Sequence, residues 1–135
     1  MKSFGAEVIE FGRDFDEAKE ECKRIAESEN LHMIPAFSPH LVLGVATYAY
    51  EMLTTTPDLD VVYVPIGCGS GICGLISVRD ALGLKTEIVG VVSTEADAAK
   101  QSFEAGRLIE TPSAKTFADG MAVRTPVAEA FDIYS

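Results

Sequence analysis

The stretch Val61 to Gly74 reads V-V-Y-V-P-I-G-C-G-S-G-I-C-G. A β-branched run stops at Pro65, and glycine follows at Gly67, Gly69, Gly71 and Gly74. Residues without a Cβ let the backbone approach a ligand, and the successive N–H groups of such a loop converge on an anion. Where the loop opens a helix, the helix terminus adds about half a positive charge. A phosphate suits such a loop; the bland reading is a tight strand-to-helix turn with no ligand. The spacing is not G-x-x-x-x-G-K-[ST], because no lysine follows Gly71. A G-x-G-x-x-G match does run from Gly69 to Gly74. The next strand, however, ends at Val91 and Val92 with no acidic residue for a ribose, and Glu95 comes only after a turn.

Other residue types capable of chemistry are sparse. The cysteines are Cys22, Cys68 and Cys73, an odd count that argues for reduced thiols. Cys68 and Cys73 are not spaced as C-x-x-C, and His32 and His40 lie far from them, so no zinc site is expected. Cys68 reads as a small buried residue rather than a nucleophile. The lysines are Lys2, Lys19, Lys23, Lys85, Lys100 and Lys115. Of these, Lys115 in Ser113-Ala114-Lys115 reads as a surface loop residue.

The elements that must position the glycine loop alternate between strand-like and helix-like patterns, which predicts an α/β fold with parallel strands. Ala6–Phe11 reads as a strand. After a turn at Gly12-Arg13-Asp14, with Asp14 or Asp16 as cap, a helix over about Asp16–Ser28 aligns Ala18, Cys22, Ile25 and Ala26 on one face. Asn30 stops it, and Leu31–Ile34 reads as a short buried strand. Pro35–His40 is a connection with two prolines, and Leu41–Leu53 a mostly apolar helix. Asp60–Ile66 and Thr86–Val92, apolar on both faces, read as central strands of a parallel sheet. Helices are expected over Gly71–Leu82 and Ala96–Ala105, the second ended by Gly106. Thr111–Gly120 reads as a loop, and a further helix starts at Val127. That late helix and the near-immediate first strand suggest a middle section of a larger α/β protein.

At 135 residues the chain fits one domain, and 47% hydrophobic residues can build a core. The net charge of −10, with the basic residues scattered, argues against nucleic acid. No apolar run reaches the about 18–20 residues a membrane helix needs, and no secretory leader opens the chain. Cytoplasmic residence with no membrane partner is the expectation.

Three segments together resemble the pyridoxal-phosphate-dependent serine/threonine dehydratases (ammonia-lyases) of the fold type II, tryptophan synthase β-like group. Val64-Pro65-Ile66-Gly67-Cys68-Gly69-Ser70-Gly71-Ile72-Cys73-Gly74 is similar to that family's glycine loop. Upstream, Gly44-Val45-Ala46-Thr47 leading to Glu51 resembles its G-Q-G-T segment, with Val45 and Ala46 as departures. Downstream, Thr116-Phe117-Ala118-Asp119-Gly120 matches T-x-A-D-G. The opening Gly5-Ala6-Glu7-Val8 and Phe15-Asp16-Glu17-Ala18 also look like this family.

The resemblance implies a partial fold type II architecture, a three-layer α/β/α arrangement of parallel sheet and flanking helices. Residues 1–35 would be the last strand–helix unit of the small domain, and 36–135 part of the large cofactor-binding domain. The cofactor implied is pyridoxal 5′-phosphate. Its phosphate would be held by Gly67, Cys68, Gly69, Ser70 and Gly71, with Asp119 and Gly120 beside its ring. Cys68 and Ser70 stand where the family often has glycine, so their added side chains require a tolerant backbone or a reshaped loop.

The activity implied is α,β-elimination on a 3-hydroxy amino acid, giving a 2-oxo acid and ammonia; racemase chemistry is also compatible. The family's Schiff-base lysine sits in an S-x-K-x-R-like context that none of the six lysines has, so no catalytic residue is expected in this chain. Some members bind a divalent cation after the strand matching Thr86–Val92; Val92 occupies that place, and no metal is expected. A homo-oligomer is implied. A Rossmann-like phosphate or nucleotide module, or an interaction fragment with unpaired sheet edges, are the competing classes.

Overall fold

A computed structural model describes all residues, 1–135. The chain divides into two compact units, Met1–Ile34 and Pro35–Ser135.

The first unit holds a single α-helix, α1 (Phe15–Glu29). Asp14 caps it, its carboxylate accepting the Glu17 N–H at 3.0 Å, and Glu17 reaches back to the Arg13 N–H. Asp16 sits in the first turn, where an acid favours the helix dipole, and pairs with Lys19 at 3.3 Å. Asn30 ends the helix in the left-handed region at φ 54°.

The flanking segments differ from the sequence expectation. Neither Ala6–Phe11 nor Leu31–Ile34 forms a strand, and Leu31 and Ile34 are exposed rather than buried. Their composition favours extended backbone, but a strand exists only where a neighbour completes the ladder, and neither segment enters the one sheet. Asp16 is the only buried residue in this unit, and the apolar side of α1 lines an open groove with Ile9, Phe11, Leu31 and Ile34.

The second unit is built around α3 (Ser70–Ala81), which packs against α2 (Pro39–Thr55), against strands β1 (Val61–Pro65) and β2 (Glu87–Val91), and against α5 (Ala128–Tyr134). Helix α2 starts earlier than the sequence suggests. Ser38 accepts the Leu41 N–H at 3.2 Å and Pro39 occupies the first helical position, so Ser-Pro here is a start signal rather than a connection. Strands β1 and β2 pair in parallel, Val61 opposite Glu87 through Pro65 opposite Val91. Two bonds extend the ladder: Glu87 N–H to the Asp60 carbonyl and Ile66 N–H to the Val91 carbonyl.

Both strands were expected to be central, yet each has the other as its sole neighbour. Tyr63 accordingly remains 71% exposed. A short helix α4 (Ala98–Ala105) ends at Gly106, φ 63°. The loop expected over Thr111–Gly120 runs into a 3-10 turn, Asp119–Met121. Val42, Ala49, Leu53, Val64, Ile72, Cys73, Leu75, Phe131 and Tyr134 join in one hydrophobic core. No helix is long and apolar enough to cross a membrane.

Candidate functional site

Strand β1 delivers the chain to the glycine loop, and the bond from Ile66 to Val91 fixes the last residue before it. The turn is made at Gly69, φ +98° and ψ 0°, a conformation that L side chains rarely adopt. Gly69 then serves as the cap of α3 without a side-chain acceptor. The Cys73 N–H closes the first turn of the helix on the Gly69 carbonyl, 3.0 Å. The N–H groups of Ser70, Gly71 and Ile72, in the first turn, therefore have no acceptor one turn back. This is the donor set and the positive dipole end that an anion requires.

Among residues 67–71 only Gly69 has a positive φ. Cys68 and Ser70 consequently carry their side chains on ordinary backbone. The tolerant backbone that the sequence analysis called for is present at both residues.

All three sequence segments meet at this loop. A Cβ at Gly67 would run into the Gly120 carbonyl oxygen, with Met121 Cα 3.8 Å away, so the downstream Ala118-Asp119-Gly120 segment lies directly against the loop. That segment is shaped by its own bonds: Thr116 Oγ1 accepts the Ala118 N–H at 3.0 Å, and the Met121 N–H reaches the Ala118 carbonyl at 2.8 Å. Asp119 and Gly120 are both exposed, and a Cβ at Gly120 would meet nothing within 4 Å, which leaves open space beside it. On α3, a Cβ at Gly74 would lie 3.3 Å from the Ala46 backbone, so the upstream segment packs backbone to backbone on the helix.

Two contacts were not foreseen from sequence. The Tyr48 hydroxyl donates to the Gly71 carbonyl at 3.4 Å, and burial pushes that phenol's pKa up. Ala130 and Tyr134 of α5 stand behind Gly69. The first is a tertiary contact between α2 and α3, and the second joins α5 to the loop from far along the chain; neither carries a local signal.

The thiols divide by environment. The Cys73 Sγ donates to the Ala130 carbonyl at 3.6 Å, and burial raises its pKa to about 11, which keeps it a neutral thiol. Cys22 is exposed on α1, and no disulfide is present. Lys115 is exposed, its backbone N–H bonded to the Glu95 carbonyl. Lys85 lies just before β2, at the end of the sheet opposite the glycine loop. Asp97 begins α4 and accepts from Gln101 at 2.8 Å, and no group of three metal-ligating side chains comes together.

A glycine turn at the C-terminal end of a parallel strand, with a downstream glycine segment against it, presents first-turn N–H groups of the kind that bind an anion. The residues fit pyridoxal phosphate: the loop supplies backbone donors, and the Gly120 side leaves room beside it. The whole chain, residues 1–135, matches the family described as pyridoxal-phosphate dependent enzyme, and the chain belongs to that family.

The mitochondrial threonine dehydratase of Saccharomyces cerevisiae is 35% identical over 137 residues, covering 98% of this chain and 24% of the yeast enzyme. The chain thus spans about a quarter of that relative's length. The processed form of threonine deaminase isoform 2 from Solanum lycopersicum superposes with a TM-score of 0.87 at 29% identity, over 96% of this chain and 36% of that one. Maize serine racemase gives a TM-score of 0.84 at 26% identity, over 98% of this chain and 42% of that one. The fold is that of fold type II enzymes, and pyridoxal phosphate is the family's cofactor.

Proposed function

We propose that this chain is the cofactor-phosphate-binding section of a pyridoxal-phosphate-dependent ammonia-lyase acting on a 3-hydroxy amino acid, as serine/threonine dehydratases do. The carrying observation is the joint placement of Gly67, Gly69 and Gly120 around the start of α3. In this reading the N–H groups of Gly67, Cys68, Gly69, Ser70 and Gly71 bind the phosphate, with the Ser70 hydroxyl as a further donor. Asp119 and Gly120 flank the ring. Bound pyridoxal phosphate supplies the electron sink through which a β-hydroxyl is eliminated, yielding a 2-oxo acid and ammonia.

The role of these residues is to bind and orient. The lysine that tethers the cofactor belongs to a segment outside this chain, because none of its six lysines has the family's context. Residues 1–35 correspond to the end of the small domain and 36–135 to part of the large one, in a cytoplasmic homo-oligomeric enzyme that takes a free amino acid and neither nucleic acid nor membrane. The likeness to maize serine racemase supports a second reading, racemisation on the same section. A nucleotide-binding module is disfavoured because β2 ends at Val91 without an acidic partner for a ribose.

The test is titration of the chain with pyridoxal phosphate and, separately, with inorganic phosphate, followed by amide NMR. Saturable shifts at the Gly69, Ser70 and Gly71 amides, with the two ligands competing, are expected. Absence of saturable binding at the loop overturns the reading.

A further inference from the structure

The glycine loop is held from behind by an element that the cofactor reading does not use. A Cβ at Gly69 would lie 2.8 Å from the Ala130 Cβ and 3.7 Å from the Tyr134 ring. Ala130 is 1% exposed, so it has no room to retreat. It is also tied to the helix it faces. Its carbonyl accepts the Cys73 thiol, and the Cys73 N–H in turn closes on the Gly69 carbonyl. Helix α5 is anchored by Phe131 and Tyr134, buried in the core with their rings edge to face at 5.7 Å.

We propose that Ala130 is a positioning residue for the cofactor phosphate: its methyl group sets how far Gly69 can move, and so fixes the aim of the N–H groups that follow. This rests on the cofactor-phosphate reading of the loop. Ala130 touches no cofactor; it acts through Gly69. A larger side chain pushes Gly69 forward and turns the Ser70 and Gly71 donors off a common centre. The binding strength of a loop built from residues 67–71 is therefore set by a residue about sixty positions downstream.

The experiment compares the whole chain with its Ala130→Val variant, using inorganic phosphate and pyridoxal phosphate as probes. The dissociation constant is corrected for any unfolded fraction, and the Gly69 amide shift is followed. At least tenfold weaker binding of both probes is expected, with a displaced Gly69 amide in the ligand-free folded protein. Unchanged affinity of the folded fraction overturns the proposal, since a residue that only fills the core alters stability and not the loop.

If Ala130→Val does not fold, a second cycle decides. Gly69→Ala is made alone and together with Ala130→Gly, which removes the atom that the new methyl would strike. Several-fold tighter phosphate binding in the double variant than in Gly69→Ala supports the contact, and additive losses overturn it. Failure of the unaltered chain to bind either probe defeats the cofactor reading itself, before any variant is compared.

Discussion

Two glycines of the loop are constrained for different reasons. Gly69 is constrained by its own backbone angle as well as by Ala130 behind it, Gly67 by what stands opposite it alone. The obstacle at Gly67 is the Gly120 carbonyl, part of a backbone held in its own 3-10 turn, and cannot swing aside as a flexible side chain does. Gly67→Ala is therefore expected to destabilise the fold by about 1–3 kcal/mol through overpacking and to abolish phosphate binding. Urea unfolding and phosphate titration on the same sample check both parts; a variant with unaltered stability places the Gly120 segment elsewhere. The motif residues were legible in sequence because their types are unusual. Their contacts with one another were not, since a glycine in a string does not say whether angle or neighbour demands it.

Cys73 has the clearest titration consequence. Its pKa of about 11 lies above the ordinary 9.0 because burial disfavours the thiolate. The stabilising effect of keeping this thiol neutral is thus complete below pH 9 and is lost as the pH rises toward 11, because the unfolded chain releases its proton first. The loss amounts to about 2–3 kcal/mol across that window. Tyr134, raised by burial and then by Cys73 beside it, acts in the same direction. Denaturant midpoints measured from pH 8 to 11 are expected to fall, and Cys73→Ala to flatten part of that limb. At pH 8 a thiol reagent is expected to label Cys22 and to spare Cys73 until the chain unfolds.

At the scale of elements, the residues around the glycine loop were read to within a residue or two: β1, α3 and β2 all sit inside or beside their expected spans. Local pattern and a strong breaker set those limits. The structure departs from the sequence expectation where local pattern is insufficient. Ala6–Phe11 and Leu31–Ile34 have strand composition but no partner, and Ser38-Pro39, read as part of a connection, is a cap followed by a first-turn proline.

Within α2, Gly44 offers a contrast with the loop glycines. It lies in a helix interior, does not have a positive φ, and a Cβ there meets nothing within 4 Å. Gly44→Ala is expected to raise stability by about 0.5–1 kcal/mol, since glycine loses more freedom on entering a helix than alanine does. A rise in the urea midpoint with unchanged slope checks it. A fall would mean that a neighbour needs that space.

At the scale of the molecule, burial is distributed very unevenly. The second unit buries side chains from α2, β1, α3, α4 and α5 in one core, whereas the first unit buries Asp16 and nothing apolar. Helix α1 is well specified locally, with the Asp14 cap, an acidic first turn and the Asn30 stop. Local signals of this kind contribute about 1 kcal/mol each, and a lone helix of fifteen residues is marginal in water without tertiary packing.

Hydrogen exchange on the intact chain is accordingly expected to separate the two units. Amides of α3 from Cys73 to Leu75 exchange only through global unfolding, and amides of α1 open locally at far lower cost. A protection ratio of at least a hundredfold between them is the expected result, and denaturant should accelerate exchange steeply in α3 and weakly in α1. Uniform protection, with equal denaturant dependence in both helices, would show that α1 shares the cooperativity of the core despite the exposure of its apolar side.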